Sequence, residues 1–135
     1  MSQILLVSPE KEIFKPLELS FSENGAATQW TDTAAKALAL VAEKKFDLVI
    51  IHEQVSDMTA KKLVENIITL NAMMNCVVLS AMSDEDFHEV YEGLGVLMRF
   101  PLIPGKAEVK KLQDHLARIR RISDQIKPLK GAGNK

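Results

Sequence analysis

Cysteine, aromatic side chains and net charge are all scarce in this sequence, and each scarcity removes a class of explanation. Cys76 is the one cysteine among 135 residues, so the chain cannot close a disulfide on itself. Its place at the head of the apolar run Cys76-Val77-Val78-Leu79 makes a buried, unreactive thiol the expectation. Aromatic residues make up 5% of the chain, with one Trp and one Tyr, and Trp30 and Tyr91 are spaced as core or helix-face residues. No apolar run approaches the roughly 18 residues that a membrane span requires. The start of the chain, Met1 to Val7, lacks the basic flank and small-residue cleavage site of a secretory signal and runs into a core strand, so a cytoplasmic protein that does not cross a membrane is expected. Gly-rich phosphate loops, Cys-His clusters and Ser-His-Asp arrangements are missing as well.

The net charge is only -1, but it is unevenly distributed. Residues 106–135 carry nine Lys or Arg against three Asp or Glu, leaving eight against fifteen in residues 1–105. A basic end can meet nucleic acid or an acidic protein. No aromatic residue is interleaved with these cations for base stacking, so a solvated face of an amphipathic helix is the preferred reading and nucleic acid is not the expected partner.

Along the chain, short apolar runs alternate with helical patterns, the signature of βαβ units and a parallel sheet. Ile4 to Val7 reads as a buried strand, followed by a helix from Glu10 to about Glu23 with Ile13, Leu17 and Phe21 at four-residue spacing and Asn24-Gly25 as its stop. Pro16 is awkward in a second turn and is expected to shift or kink the start. Ala26 to Thr31 reads as a strand, and Thr33 caps a helix carrying Ala34, Ala37, Leu38 and Val41. Asp47 to Ile51 is apolar on both faces, as a central parallel strand should be. A helix from about Thr59 to Asn71 is expected to bury Leu63, Ile67 and Leu70, and Cys76 to Leu79 forms the fourth strand. Ser83 caps a helix with an inner stripe of Phe87, Val90, Tyr91 and Leu94, closed by Gly93 and Gly95. Val96 to Met98 is the fifth strand and Lys106 to about Lys127 a long last helix. The fold class is therefore α/β: a doubly wound, flavodoxin-like five-stranded parallel sheet of order 2-1-3-4-5 with five helices. Residues 1–127 are read as one domain and residues 128–135 as a disordered tail.

Four stretches give this plan a family resemblance. Ile4-Leu5-Leu6-Val7-Ser8-Pro9-Glu10, Phe46 to His52 followed by Met58, and Val77-Val78-Leu79-Ser80-Ala81 together with Met98-Arg99-Phe100-Pro101-Leu102 resemble the conserved strand ends of CheY-like response-regulator receiver domains, over roughly residues 3–121. The resemblance implies a role in two-component phosphorelay signalling. It also implies a phosphorylation pocket, and there the chain departs. Phosphoryl transfer to a carboxylate needs a nucleophilic Asp, a hard cation on oxygen ligands and a Lys against the acyl phosphate. By the resemblance the acidic pair falls on Ser8 and Pro9, the acceptor Asp on His52 and the Lys on Phe100, followed by Pro101; Ser80 alone keeps the family's hydroxyl. The family's aromatic switch residue falls on Leu97.

Substitutes are few. Glu10 offers one oxygen, Glu53 lies on the opposite strand face from His52, and Asp57 stands where the family has a small turn residue. The alternative function is atypical phosphoryl transfer or metal binding centred on His52, since imidazole is nucleophilic and binds zinc. Against it stands a histidine that only fills the space of the lost aspartate-cation pair, bonded to Ser8 or Ser80. His88 and His115 read as surface residues. Cobalamin and flavin sites on this sheet need loops that Ser8 to Ile13 does not provide. No cofactor and no enzymatic activity are expected.

In the last helix Val109, Leu112, Leu116 and Ile119 follow helical spacing, which continues through Ile122 to Ile126. The resemblance places an output and dimerisation face on residues 84–99 and 106–126, including Val90, Tyr91, Leu97, Leu112, Leu116, Ile119, Ile122 and Ile126. The expected function is thus a phosphorylation-independent module that binds a protein partner, or a second copy of itself, through this face.

Overall fold

The structure is a computed structural model that describes residues 3–115 apart from Ser56 and Met73. Five parallel strands form one sheet: β1 (Gln3–Val7), β2 (Ala27–Thr31), β3 (Leu48–His52), β4 (Asn75–Leu79) and β5 (Val96–Phe100), in the order β2-β1-β3-β4-β5. The helices between them are α1 (Lys15–Glu23), α2 (Ala34–Glu43), α3 (Ala60–Leu70) and α4 (Asp84–Tyr91). A last helix, α5, runs over 106–115 to the end of the described residues.

Alternation along the strands divides the core into two layers. Leu5, Val7, Val49, Ile51, Cys76 and Val78 point to the side covered by α2, α3 and α4, where they meet Ala37, Leu63, Ile67 and Phe87. Ile4, Leu6, Leu48, Ile50, Val77 and Leu79 point to the side covered by α1 and α5, against Phe14, Leu17, Phe21, Val109 and Leu112. Both faces of β3 are dry because it is flanked by β1 and β4 and covered by helices above and below, which is why its sequence is apolar throughout.

Local chemistry sets the helix ends. Thr33, Thr59 and Ser83 each accept a hydrogen bond from the backbone N–H three residues on, at 3.1–3.2 Å. At α5 the relation is reciprocal in part: the Glu108 carboxylate reaches back to the Gly105 N–H at 2.6 Å. Asn24 closes α1 with its side-chain amide on the Ser20 carbonyl, and Gly25 leaves the helix at φ +80°, where a side chain would strain the backbone.

Several expectations are corrected. The first helix does not begin at Glu10: a 3-10 turn occupies Lys11–Phe14 and α1 starts at Lys15, because Pro16 has no N–H for the preceding turn and fits only in the first positions of a helix. Leu70, expected inside, is 53% exposed; it is the last residue of α3 and lies at the mouth of a cleft shared with α2 rather than over the sheet. Strand β5 continues past Met98 to Phe100, which brings Arg99 into the sheet. Its register with β4 slips by one residue, Cys76 facing Val96 and Val77 facing Met98, so Leu97 is the extra residue of a bulge on an edge strand. The proposed tail, residues 128–135, and the end of the last helix lie outside the described residues.

Candidate functional site at the carboxyl ends of the strands

Strand order reverses between β1 and β3, so the loops after these strands open a crevice at their carboxyl ends. Ser8 follows β1, His52 closes β3, Ser80 follows β4 and Phe100 closes β5; all four are buried, while Pro9, Glu10 and Pro101 are exposed. The structure therefore brings together the positions that the sequence pointed to. Their hydrogen bonding differs from the expectation.

His52 bonds neither Ser8 nor Ser80. Its Nδ1 accepts the backbone N–H of Gln54 at 3.1 Å, so the neutral ring carries its proton on Nε2. Burial pushes its pKa below the ordinary histidine value, and the nearby Glu53 charge offsets this only in part. A nucleophile or metal ligand needs a free nitrogen lone pair. Here one lone pair is already engaged by the chain and the other nitrogen is a donor, an arrangement opposed to both chemistries.

Ser8 is saturated by its own neighbourhood. Its Oγ donates to the Glu10 carbonyl at 2.6 Å and accepts the Trp30 indole N–H at 3.1 Å. Trp30 comes from β2, which pairs with β1 in register Val7 to Thr31, so the ring lies next to the β1 exit. Where the resemblance expects an acid holding a cation, the chain has an uncharged hydroxyl bonded to an indole. Among the described residues no group of three or more His, Cys, Asp or Glu side chains is arranged to hold a metal ion. The donor set does not fit the hard cation of the phosphorylation chemistry, which takes several carboxylate or carbonyl oxygens.

Of the three substitute carboxylates, that of Glu10 is on an exposed residue and those of Asp57 and Glu53 are committed elsewhere. Asp57 receives the N–H groups of Ala34 and Ala35 at 2.8 and 2.9 Å, so it caps α2 from the β3–α3 loop. Those bonds, led by that of Ala34, hold its carboxyl below the usual carboxylate range. Glu53 reaches across to the β4 exit, where Oε1 accepts the Ser80 hydroxyl at 2.7 Å and Oε2 the Ala81 N–H at 3.2 Å. On the other side Arg99 donates to the Ser80 carbonyl at 2.9 Å and pairs with Asp84 at 2.9 Å. Sequence reasoning did not anticipate Trp30, Asp57, Glu53 or Arg99 in these roles. Phe100 fills the lower layer with a fully apolar ring, and Cys76 is buried with its thiol pushed up to about 12, as an inert side chain should be.

On the expected interaction face the residues divide. Tyr91 and Leu112 are 7% and 0% exposed and point into opposite layers of the core, so they offer a partner little surface. Val90 and Leu97 are half-buried, one against each layer, on either side of the β5 edge. Leu116, Ile119, Ile122 and Ile126 lie outside the described residues. His88 is exposed and His115 half-buried. No helix among the described residues is long and apolar enough to cross a membrane.

Comparison with known proteins gives the fold a name. No protein-family profile matches the chain, and no curated protein matches it significantly. Solved structures do. A CheY-like response-regulator receiver domain from Methanospirillum hungatei superposes with a TM-score of 0.79 at 16% identity, covering 90% of this chain and 98% of that one. The signal receiver domain of an HD domain-containing protein from Pseudomonas fluorescens gives 0.76 at 20% identity over 91% and 92%. The non-phosphorylated receiver domain of HemR from Leptospira biflexa gives 0.70 at 22% identity over 88% and 94%. The chain has the CheY-like, flavodoxin-like receiver fold.

Proposed function

We propose that this chain is a receiver-fold module of two-component-type signalling that works without phosphorylation, binding a protein partner or a second copy of itself. It has no catalytic role in this reading. The observation that carries it is the state of the acceptor position: His52 stands there, neutral, with Nδ1 tied to the Gln54 amide. The neighbouring substitutions point the same way. Ser8 and Pro9 offer no carboxylate for a cation, Phe100 offers no ammonium for an acyl phosphate, and the Ser80 hydroxyl is already given to Glu53. The interaction is assigned to the surface around α4, β5 and α5, with Val90 and Leu97 among its accessible apolar members.

The test is an amide spectrum of the protein recorded with and without magnesium and acetyl phosphate. No change at residues 8–10, 52–55, 80–82 or 99–101 is expected. Saturable shifts confined to those segments would overturn the proposal.

A further inference from the structure

We infer that the Glu53 carboxylate is an internal latch, which accepts hydrogen bonds from the Ser80 hydroxyl and Ala81 amide and thereby holds the β4–α4 connection in one arrangement without any ligand. This rests on the phosphorylation-independent reading of the same site and adds how that site is kept in a fixed state.

The two donors belong to consecutive residues at the exit of β4, and each meets its own oxygen of one carboxylate, at 2.7 and 3.2 Å. A charged acceptor makes both bonds stronger than neutral ones would be. Ser80 is 1% exposed, so its hydroxyl has little water to turn to if Glu53 leaves. While donating to Glu53, the same Oγ accepts the Met82 N–H at 3.0 Å, which passes the constraint two residues along the connection. Arg99 completes the clamp from β5, on the Ser80 carbonyl and on Asp84, the first residue of α4. Asp84 is 89% exposed, so this ion pair is screened by water and is the weaker half. Burial raises the Tyr91 hydroxyl of α4 above the ordinary tyrosine value, and the Glu53 charge adds to it in the second place. Residues 80–84 are thus held from the β3 exit by an anion and from β5 by a cation. A group arriving from outside would have to displace a side chain of the chain itself.

The experiment compares amide hydrogen exchange in the whole chain carrying Glu53→Ala or Glu53→Gln with the wild type, in the absence of magnesium and any phosphoryl donor. Exchange at Ala81 and Met82 is expected to accelerate at least about tenfold in both variants, as loss of a charge-assisted bond implies, while amides of β1 and β3 keep their protection. Formate is a carboxylate small enough for the space that Glu53→Ala vacates. It is expected to restore protection in that variant and to do nothing for Glu53→Gln, whose side chain still fills the space. Unchanged exchange at Ala81 and Met82, or acceleration in Glu53→Ala that formate does not reverse, overturns the latch. Glu53→Gln keeps the volume and supplies the exchange criterion if Glu53→Ala loses its fold. A wild type that responds to magnesium and acetyl phosphate breaks the reading of the site whatever the variants do. A silent wild type with unaltered variants breaks the latch alone.

Discussion

The Trp30 indole N–H donates to the buried hydroxyl of Ser8 across the β1–β2 pair, at 3.1 Å. That one bond ties an edge strand to the mouth of the crevice. Replacing Ser8 by Ala leaves both the indole N–H and the Glu10 carbonyl without their partner. A loss of about 1 kcal/mol in urea denaturation is expected, the net worth of hydrogen bonds to part-buried groups that water can partly reach, with a change in Trp30 emission. Equal stability and unchanged emission would show that water replaces the bond without cost.

His52 makes stability depend on pH in a definite direction. Its folded pKa lies below the unfolded value of about 6.5, so the unfolded chain binds the proton more readily. The contribution is complete above about pH 6.5 and is lost as pH falls from there through the folded-state value. His52→Asn keeps an acceptor for the Gln54 amide without a titrating ring. Stability measured between about pH 5 and 7.5 should fall less steeply toward acid in this variant than in the wild type. Parallel curves would remove His52 from the account.

On the proposed reading, an Asp at position 52 should not by itself create phosphorylation chemistry. In His52→Asp the new carboxylate has no acidic partners at Ser8 and Pro9 and no ammonium at Phe100. Mass spectrometry after incubation with magnesium and acetyl phosphate is expected to show no added phosphoryl group. Stoichiometric modification would mean that the surrounding pocket still assembles a cation site.

Asp57 acts on a helix rather than on a ligand. Asp57→Ala uncaps α2 and is expected to cost about 0.5–1 kcal/mol, the low end of the capping range because the carboxylate is solvent-exposed and screened. Since its folded pKa is lowered, the benefit is present above about pH 4 and is lost as pH falls through the folded value. Thermal melts at low and high salt, with a smaller difference between variant and wild type at high salt, check both statements.

Concentration-dependent mass in light scattering tests the assigned face. If two copies meet across β5, Leu97→Glu places a charge in that contact and should leave a monomer at every concentration. A wild type that is monomeric throughout would instead leave a different protein as the partner.

The layers of this fold were legible because burial on both sides of a parallel sheet writes itself as continuous apolar runs, as at Leu48–Ile51, and because the caps Thr33 and Ser83 are local chemistry. Ser8, His52, Ser80 and Phe100, singled out by the family resemblance, all lie buried at the carboxyl ends of their strands. What spacing could not disclose was which partner each polar side chain would find. Alternation turns Glu53 away from His52, and the neighbouring strand is what gives it Ser80. Asp57 looks like a loop acid until α2 ends beside it, and Trp30 looks like a core aromatic until β2 pairs in register with β1. Leu70 satisfies the helical period but sits one turn beyond its cover.

Ser80 has a consequence for the order in which the chain acquires its structure. Two of its partners, Glu53 and Arg99, come from 27 residues before it and 19 residues after it, and those bonds exist only once β3, β4 and β5 lie side by side. Local helix formation cannot supply them, so on loop-closure grounds they belong to the late, non-local steps of assembly. Protection at Ser80 and Ala81 should therefore be among the last signals to appear during refolding, a marker that the edge strand has docked.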